Sequence, residues 1–475
     1  MKAQYHVIIV GSGVAGLSAA ETLANQGLDI LIIDENVHTG GQLLRKTRPT
    51  SACFPKFDPD RMKSKGFNLV RKINKIQSID WLFQAQVLGI FKDRRLWVHI
   101  EKGEKGSAEF LEVRAEHLIL ATGARERYLP FKGWTLPGVM SLGSAQILMK
   151  SHGVLPARHT LIAGTSPLMM VLASEILGNQ GKVTALLDEN PMIKKLRFLP
   201  LISHHWPKLM EGAIYTARMA LNRVPMRQSV RMIEARGRDG FESAIVAKTT
   251  PEGKVIPGTE TDYLAGALTI GYGFVPNIEL PVQAGCDLEY QKDRGGWMVK
   301  VDETLESSCR SVYAAGEITG IAGAKKSFIQ GKLAAMTILK RLGKTTPGNR
   351  KIKFQKDIHT LVSLDRQQKA YASFLNQLCQ VPSSAYAAIP DDTMICRCEE
   401  ITMGTIKKSI QQGFATVGSL KKATRCGMGR CQGRICGPVI FDIITALTQK
   451  SPGHVGCSLS RVPVKTVDIK AFLTS

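Results

Sequence analysis

Apolar runs that end on a glycine occur twice in this chain, each followed by a small-residue stretch of helical pattern and a second apolar run. Residues 7–10 (VIIV) lead into Gly11, an alanine-rich stretch follows, Gly27 stops it, and residues 30–33 (ILII) close on Asp34 and Glu35. Residues 160–163 (TLIA) lead in the same way through Gly164 to Gly181 and an acid-closed run ending at Asp188 and Glu189. Segments 21–36 (ETLANQGLDILIIDEN) and 175–190 (EILGNQGKVTALLDEN) are identical at eight of 16 positions, at a constant offset of 154. Short continuous apolar runs are the pattern of strands buried on both faces, and a glycine after a helical stretch is a C-cap. Two strand–helix–strand units predict an α/β fold with two doubly wound domains.

Further strand-like runs fall at 244–247, 268–270 and 312–315, the last entering Gly316 and Glu317. Pro347, Gly348 and Asn349 in a lysine-rich stretch predict a linker. The expected map is one domain from 1–155 with 281–345, a second at 156–280, and a linker at 346–390. A cysteine-rich module at 391–445 follows, then a tail at 446–475 that reads as loop with one strand. Between the cysteine pairs, 401–420 reads as one helix with Ile406, Ile410 and Phe414 on a face.

The 475 residues suffice for about three domains, and 44% hydrophobic content supplies their cores. No run approaches the roughly 18 apolar residues that cross a bilayer. The N-terminus enters the first strand without a leader-like segment, so the expected location is cytoplasmic, with any contact to the inner face of the membrane made through partners. The net charge of +23 comes from dispersed doublets such as Lys194-Lys195, without aromatic interleaving. That fits a solvated basic surface or an acidic partner protein better than nucleic acid. Ten cysteines with five between Cys396 and Cys436 indicate a metal or cluster site in a reducing compartment.

Gly11, Gly13 and Gly16 (GSGVAG) sit between strand and helix. Gly11 permits the tight turn, Gly13 lets a pyrophosphate approach the helix N-terminus, and Gly16 lets the helix pack on the strand. Asp34, placed at the end of the second strand, suits ribose hydroxyls. Three later motifs, GGQL at 40–43, ATGA at 121–124 and AAGE at 314–317, resemble those of two-dinucleotide-binding, glutathione-reductase-like flavoproteins, in matching order. The resemblance implies FAD, with Ala15, Glu35, Gly41, Gln42, Thr122, Gly123, Gly316 and Glu317 joining Gly11, Gly13, Gly16 and Asp34 as cofactor-binding residues. In the second unit Ser166 and Met169 replace two glycines, so a retained fold with an altered site is expected and NAD(P) binding is doubtful. Cys53 stands alone and no CxxC lies near the flavin motifs, which disfavours disulfide-reductase chemistry. His204 and His205 are expected to be structural, and no catalytic acid or base is assigned.

Cys396 and Cys398 form one close pair and Cys431 and Cys436 another, with glycines between. Two thiol pairs suit an iron–sulfur cluster or zinc, and Cys426–Cys431 is a rival second pair. The segment TRCGMGRCQGRICG at 424–437 resembles a bacterioferritin-associated-ferredoxin-like (BFD-like) 2Fe-2S domain. That resemblance implies Cys396, Cys398, Cys431 and Cys436 as ligands, with Cys426 an extra thiol. Together with 123–140 (GARERYLPFKGWTLPGVM) and 271–277 (GYGFVPN), the whole chain resembles the larger subunit of heteromeric amino-acid dehydrogenases. This group includes the larger subunits of opine oxidase, hydrogen cyanide synthase, and proline and hydroxyproline dehydrogenases. It implies an electron-transfer subunit with three partners: a catalytic flavoprotein subunit, a small ferredoxin-like protein, and a respiratory acceptor. The competing expectations are a stand-alone NAD(P)H-dependent reductase of ferredoxin-reductase type and a scaffold subunit with structural FAD.

Overall fold

The structure, a computed structural model, describes residues 1–45, 62–101, 108–191, 206–344 and 349–469. Cys53, His204 and His205 lie outside the described residues.

The internal repeat is two copies of one architecture. In the first, five parallel strands lie in the order Ile79–Leu82, Ile30–Ile33, Gln4–Val10, Ala108–Leu120 and Val312–Ala314. The leading half of the long Ala108–Leu120 strand turns away to pair antiparallel with Arg95–Glu101, which pairs with Ala85–Ile90. In the second, Met226–Gln228, Lys182–Asp188, His159–Gly164, Ala267–Gly271 and Val139–Ser141 are parallel in that order. Its antiparallel companion is Val230–Arg236, Ser243–Lys248 and Thr261–Leu264. Ile8, Ile9, Ile30, Leu31 and Ile32 are almost fully buried, as strands covered on both faces require.

Helix Val14–Leu23 carries Ala15, Ala19 and Ala20, and these small side chains let helix Ala324–Arg341 approach closely. A Cβ at Gly331 would stand 2.0 Å from the Ala15 carbonyl oxygen. Through this crossing the first glycine-rich turn and the segment at Gly316 are held together, although they lie about 300 residues apart in sequence.

The stretch expected as a linker carries a long helix from residue 349 onward. Asn349–Leu378 is a 30-residue helix that packs along Ala324–Arg341. Its Asp365 is buried and accepts from Gln330 Nε2 at 2.9 Å, and Lys369 pairs with the same carboxylate at 2.6 Å. The stretch 401–420 is two helices, Met403–Gln411 and Val417–Thr424, because Gly413 turns left-handed at φ +97°. Ile406 is buried while Phe414, past the break, is exposed. The described part of the tail contains helix Pro452–Val455 and no strand.

The cysteine module shares a core with the rest. Ile440, Ile443 and Ile444 of helix Cys436–Thr448 belong to one apolar cluster with Leu161, Ala163, Leu268 and Trp134. Among the described residues no helix is long and apolar enough to cross a membrane.

The helix crossing yields a test. Gly331→Ala gains helix propensity worth about 1 kcal/mol, but its methyl meets backbone that no rotamer change can relieve. We expect a net loss of about 1–3 kcal/mol in urea unfolding, together with weaker flavin retention.

Candidate functional site

A single cavity of about 1860 Å³ runs from the first glycine-rich turn across the face of the second domain. Drug-sized pockets hold roughly 300–1,000 Å³, so this space is on the scale of a dinucleotide or more. Gly11, Gly13, Ala15, Asp34, Glu35, Gly41, Gln42, Thr122, Gly123, Gly316 and Glu317 all line it. Gly16 lies behind, where a Cβ would stand 1.9 Å from the Gly11 carbonyl oxygen. Gly11 has φ +105° and closes the turn against Ala121, whereas a Cβ at Gly13 would meet nothing within 4 Å. Open space at Gly13, beside the start of a ten-residue helix, is the cradle a pyrophosphate needs.

The acids are engaged by the chain itself. Asp34 accepts from the Ser12 amide at 2.6 Å, the Ser12 hydroxyl at 2.7 Å, and both the Asn36 amide and side chain at 2.8 Å. Those four bonds match the acceptor capacity of a carboxylate, so Asp34 fixes the turn. Glu35, half exposed at the cavity wall, pairs with Lys465 of the tail. Glu317 accepts from the amides of Ala322 and Gly323 and so shapes the entry to helix Ala324–Arg341. Behind it Lys326 is fully buried and donates to the carbonyls of Gly316 and Gly320. Burial pushes its pKa down to about 7, against the pull of Glu317. Gln330 receives the Gly316 amide at 2.8 Å and passes the network on to Asp365. Neither Lys326 nor Gln330 stands out in the sequence, since each lies on a helix face that reads as ordinary polar surface.

The second turn is built differently. The amides of Thr165 and Ser166 both donate to the Gly271 carbonyl, at 2.8 and 3.1 Å. Met169 is buried in the core beneath. Asp188 lines the cavity.

In the cysteine module the Sγ atoms of Cys396, Cys426 and Cys436 lie within 4.8 Å of one another, all buried. Cys396 and Cys436 belong to the expected ligand set. Cys426 joins them, while Cys398 is exposed and Cys431 half-buried. Cys398 packs where Gly429 leaves no room for a side chain, with only 2.2 Å between its Cβ and a Cβ built at Gly429. Three converging buried thiols, with two more in the same loops, form a soft donor set that fits an iron–sulfur cluster. The convergence of Cys426 could not be read from spacing, because it depends on how the 424–437 loop folds back on Cys396.

The cysteine loop also reaches the large cavity. Arg434, between Cys431 and Cys436, is part of its wall. Its guanidinium donates to the carbonyls of Cys431 and Val464 at 3.2 and 2.7 Å. The Arg434 carbonyl accepts from Arg125 Nε at 2.8 Å.

Two family models match the chain: pyridine nucleotide-disulphide oxidoreductase over residues 5–337, and BFD-like [2Fe-2S] binding domain over 394–446. The chain belongs to the pyridine nucleotide-disulphide oxidoreductase family. Hydrogen cyanide synthase subunit HcnB of Pseudomonas aeruginosa is 30% identical, over 98% of this chain and 97% of that protein. The A-type subunit of opine oxidase from Rhizobium meliloti is 31% identical, over 98% and 86%. The solved L-proline dehydrogenase from P. horikoshii has the same fold, with a TM-score of 0.68 at 20% identity, covering 98% of this chain and 79% of that one. In this member of the pyridine nucleotide-disulphide oxidoreductase family, FAD and a 2Fe-2S cluster are the cofactors. Among the described residues no pair of cysteines lines the flavin cavity, despite the family's name.

The overlap between the expected ligand set and the convergent trio predicts how substitutions separate. Cys396→Ser and Cys436→Ser, common to the expected set and the convergent trio, should each lose most iron and sulfide. Cys426→Ser should keep both and alter only the visible spectrum. Loss of iron in Cys426→Ser would make it a ligand in place of Cys398 or Cys431.

Proposed function

We propose that this chain is the electron-transfer subunit of a heteromeric dehydrogenase of amino acids or related secondary amines, with substrate oxidised in a partner subunit. The observation that carries this reading is the shared wall: Arg434 of the cysteine loop lines the same cavity as Gly11, Gly13 and Thr122. FAD supplies a bridge between two-electron and one-electron chemistry, and a 2Fe-2S cluster supplies one-electron transfer. The chain's own residues hold these groups. Gly11 and Gly13 open the pyrophosphate cradle, Asp34 locks the turn, and Glu35 with Lys465 closes one edge. Gly41, Gln42, Thr122, Gly123, Gly316 and Glu317 line the remainder. For the cluster we propose Cys396, Cys398, Cys431 and Cys436, with Cys426 beside Cys396 and Cys436.

The relatives support the division of labour. Each is named as one subunit of a larger enzyme: HcnB of hydrogen cyanide synthase, the A-type chain of opine oxidase and the alpha chain of sarcosine oxidase. The second turn supports it too. Amides that would cradle a nicotinamide dinucleotide's phosphates donate to Gly271 instead, which leaves reducing equivalents to arrive from a partner. A respiratory acceptor completes the reading.

Anaerobic mixing checks it. The isolated, cofactor-loaded chain should keep its flavin absorbance when given proline, hydroxyproline, glycine, an opine or NADH. The same absorbance should bleach once the catalytic subunit is added with its substrate. Full-rate substrate oxidation by the chain alone would refute the division of labour, and rapid bleaching by NADH would favour a stand-alone reductase.

A further inference from the structure

Arg125 follows the Ala121–Gly123 turn by two residues and joins elements that sequence keeps far apart. Its Nε donates to the Arg434 carbonyl at 2.8 Å, inside the loop between Cys431 and Cys436. One Nη donates to Asn277 Oδ1 at 2.8 Å and pairs with Glu279 Oε1 at 2.8 Å. Asn277 in turn is laced to that Ala121–Gly123 turn. Its amide donates to the Gly123 carbonyl at 3.0 Å, its Nδ2 donates to the Thr122 carbonyl at 2.8 Å, and the Thr122 hydroxyl donates to the Asn277 carbonyl at 3.0 Å. Arg434 then donates to the Cys431 carbonyl at 3.2 Å. An unbroken polar chain therefore runs from Thr122 and Gly123 through Asn277, Arg125 and Arg434 to a cysteine of the cluster loop. Arg125, Asn277, Glu279 and Arg434 all line the flavin cavity.

We propose that Arg125 is a positioning residue that couples the two redox sites, and that the Arg125–Glu279 pair sets the charge seen by the cluster. This rests on the reading that the chain carries both centres. The geometry gives Arg125 two tasks that a lysine could not combine. Its planar fork fixes the cysteine loop through one nitrogen and, through another, Asn277, which is bonded to the 121–123 turn. Its charge is matched by Glu279, whose side chain is mostly buried, so the pair presents little net charge to the loop. Removing one member shifts the net charge beside the loop by one unit in a low-dielectric setting, while Arg434, which feels both Glu279 and Arg125, stays in place. The sign of the effect follows. Reduction makes a cluster more negative, so loss of the Arg125 charge disfavours it and loss of the Glu279 charge favours it.

The charge alone decides between coupling and mere support, because a structural role has no reason to respond in opposite directions to the two substitutions. Holoprotein containing FAD and cluster is titrated with dithionite in the presence of redox mediators, and the cluster is followed by electron paramagnetic resonance. Arg125→Gln should move the cluster midpoint to a more negative potential, and Glu279→Gln to a more positive one. Arg125→Lys, which keeps the charge but not the fork, should stay near the wild-type potential while holding the cluster about tenfold less tightly against a chelator. Midpoints that stay unchanged, or that move in the same direction, in loaded Arg125→Gln and Glu279→Gln protein would overturn the proposal. Absence of a cluster from the wild-type protein would overturn the underlying reading instead, so the two failures are distinct.

Discussion

Arg127, just past the short strand Ala124–Glu126, and Asp442, on the helix that begins at Cys436, form a largely buried ion pair. Arg127 also donates to the Gly295 carbonyl at 3.1 Å, and Tyr290 and Phe441 pack beside the pair with ring centroids 4.9 Å apart. Removing one partner of such a pair costs about 3–5 kcal/mol, because it strands a charge away from water. The contact therefore does more than join two surfaces. It admits one seating of the cysteine module on the flavin domain, since a slip along the helix would leave both charges unpaired.

That seating makes the rest of the site possible. With helix Cys436–Thr448 fixed in the common apolar core, the loop before it must lie against the flavin cavity, and Arg434 becomes part of the wall. The tail is drawn into the same arrangement. Val464 donates its amide to the Leu88 carbonyl, receives Arg434 at its own carbonyl, and brings Lys465 to Glu35. Cysteine loop, tail and glycine-rich turn thus enclose one space, although they come from opposite ends of the chain.

Much of this is legible in the sequence, and the limits are physical. The two parallel sheets announce themselves because continuous apolar runs closed by glycine and acid have few other uses, and the 154-residue repeat shows that the unit occurs twice. The glycines and acids at the cavity's turns can be found by motif because tight turns constrain local residue type. What cannot be read depends on contacts between distant segments. Arg127 and Asp442 are separated by 315 positions, and neither is marked by its neighbours. Helix Asn349–Leu378 reads as a linker because Pro347-Gly348-Asn349 and nearby lysines mask it, although Leu361, Ala372 and Leu378 are buried along it and Asp365 reaches Gln330. Cys426 sits in the buried trio for the same reason: the fold-back of a loop, not a spacing, brings it to Cys396 and Cys436.

The central claim is that one chain holds both a flavin and a cluster, with their sites sharing a wall. The most direct measurement is an absorbance spectrum of the purified chain, with flavin, iron, acid-labile sulfide and zinc assayed on the same sample. Flavin bands over a reddish cluster background, with iron and sulfide each at about twice the flavin content, is the predicted result. Flavin with zinc, or with no metal, would contradict it and leave the cysteine module as a structural element.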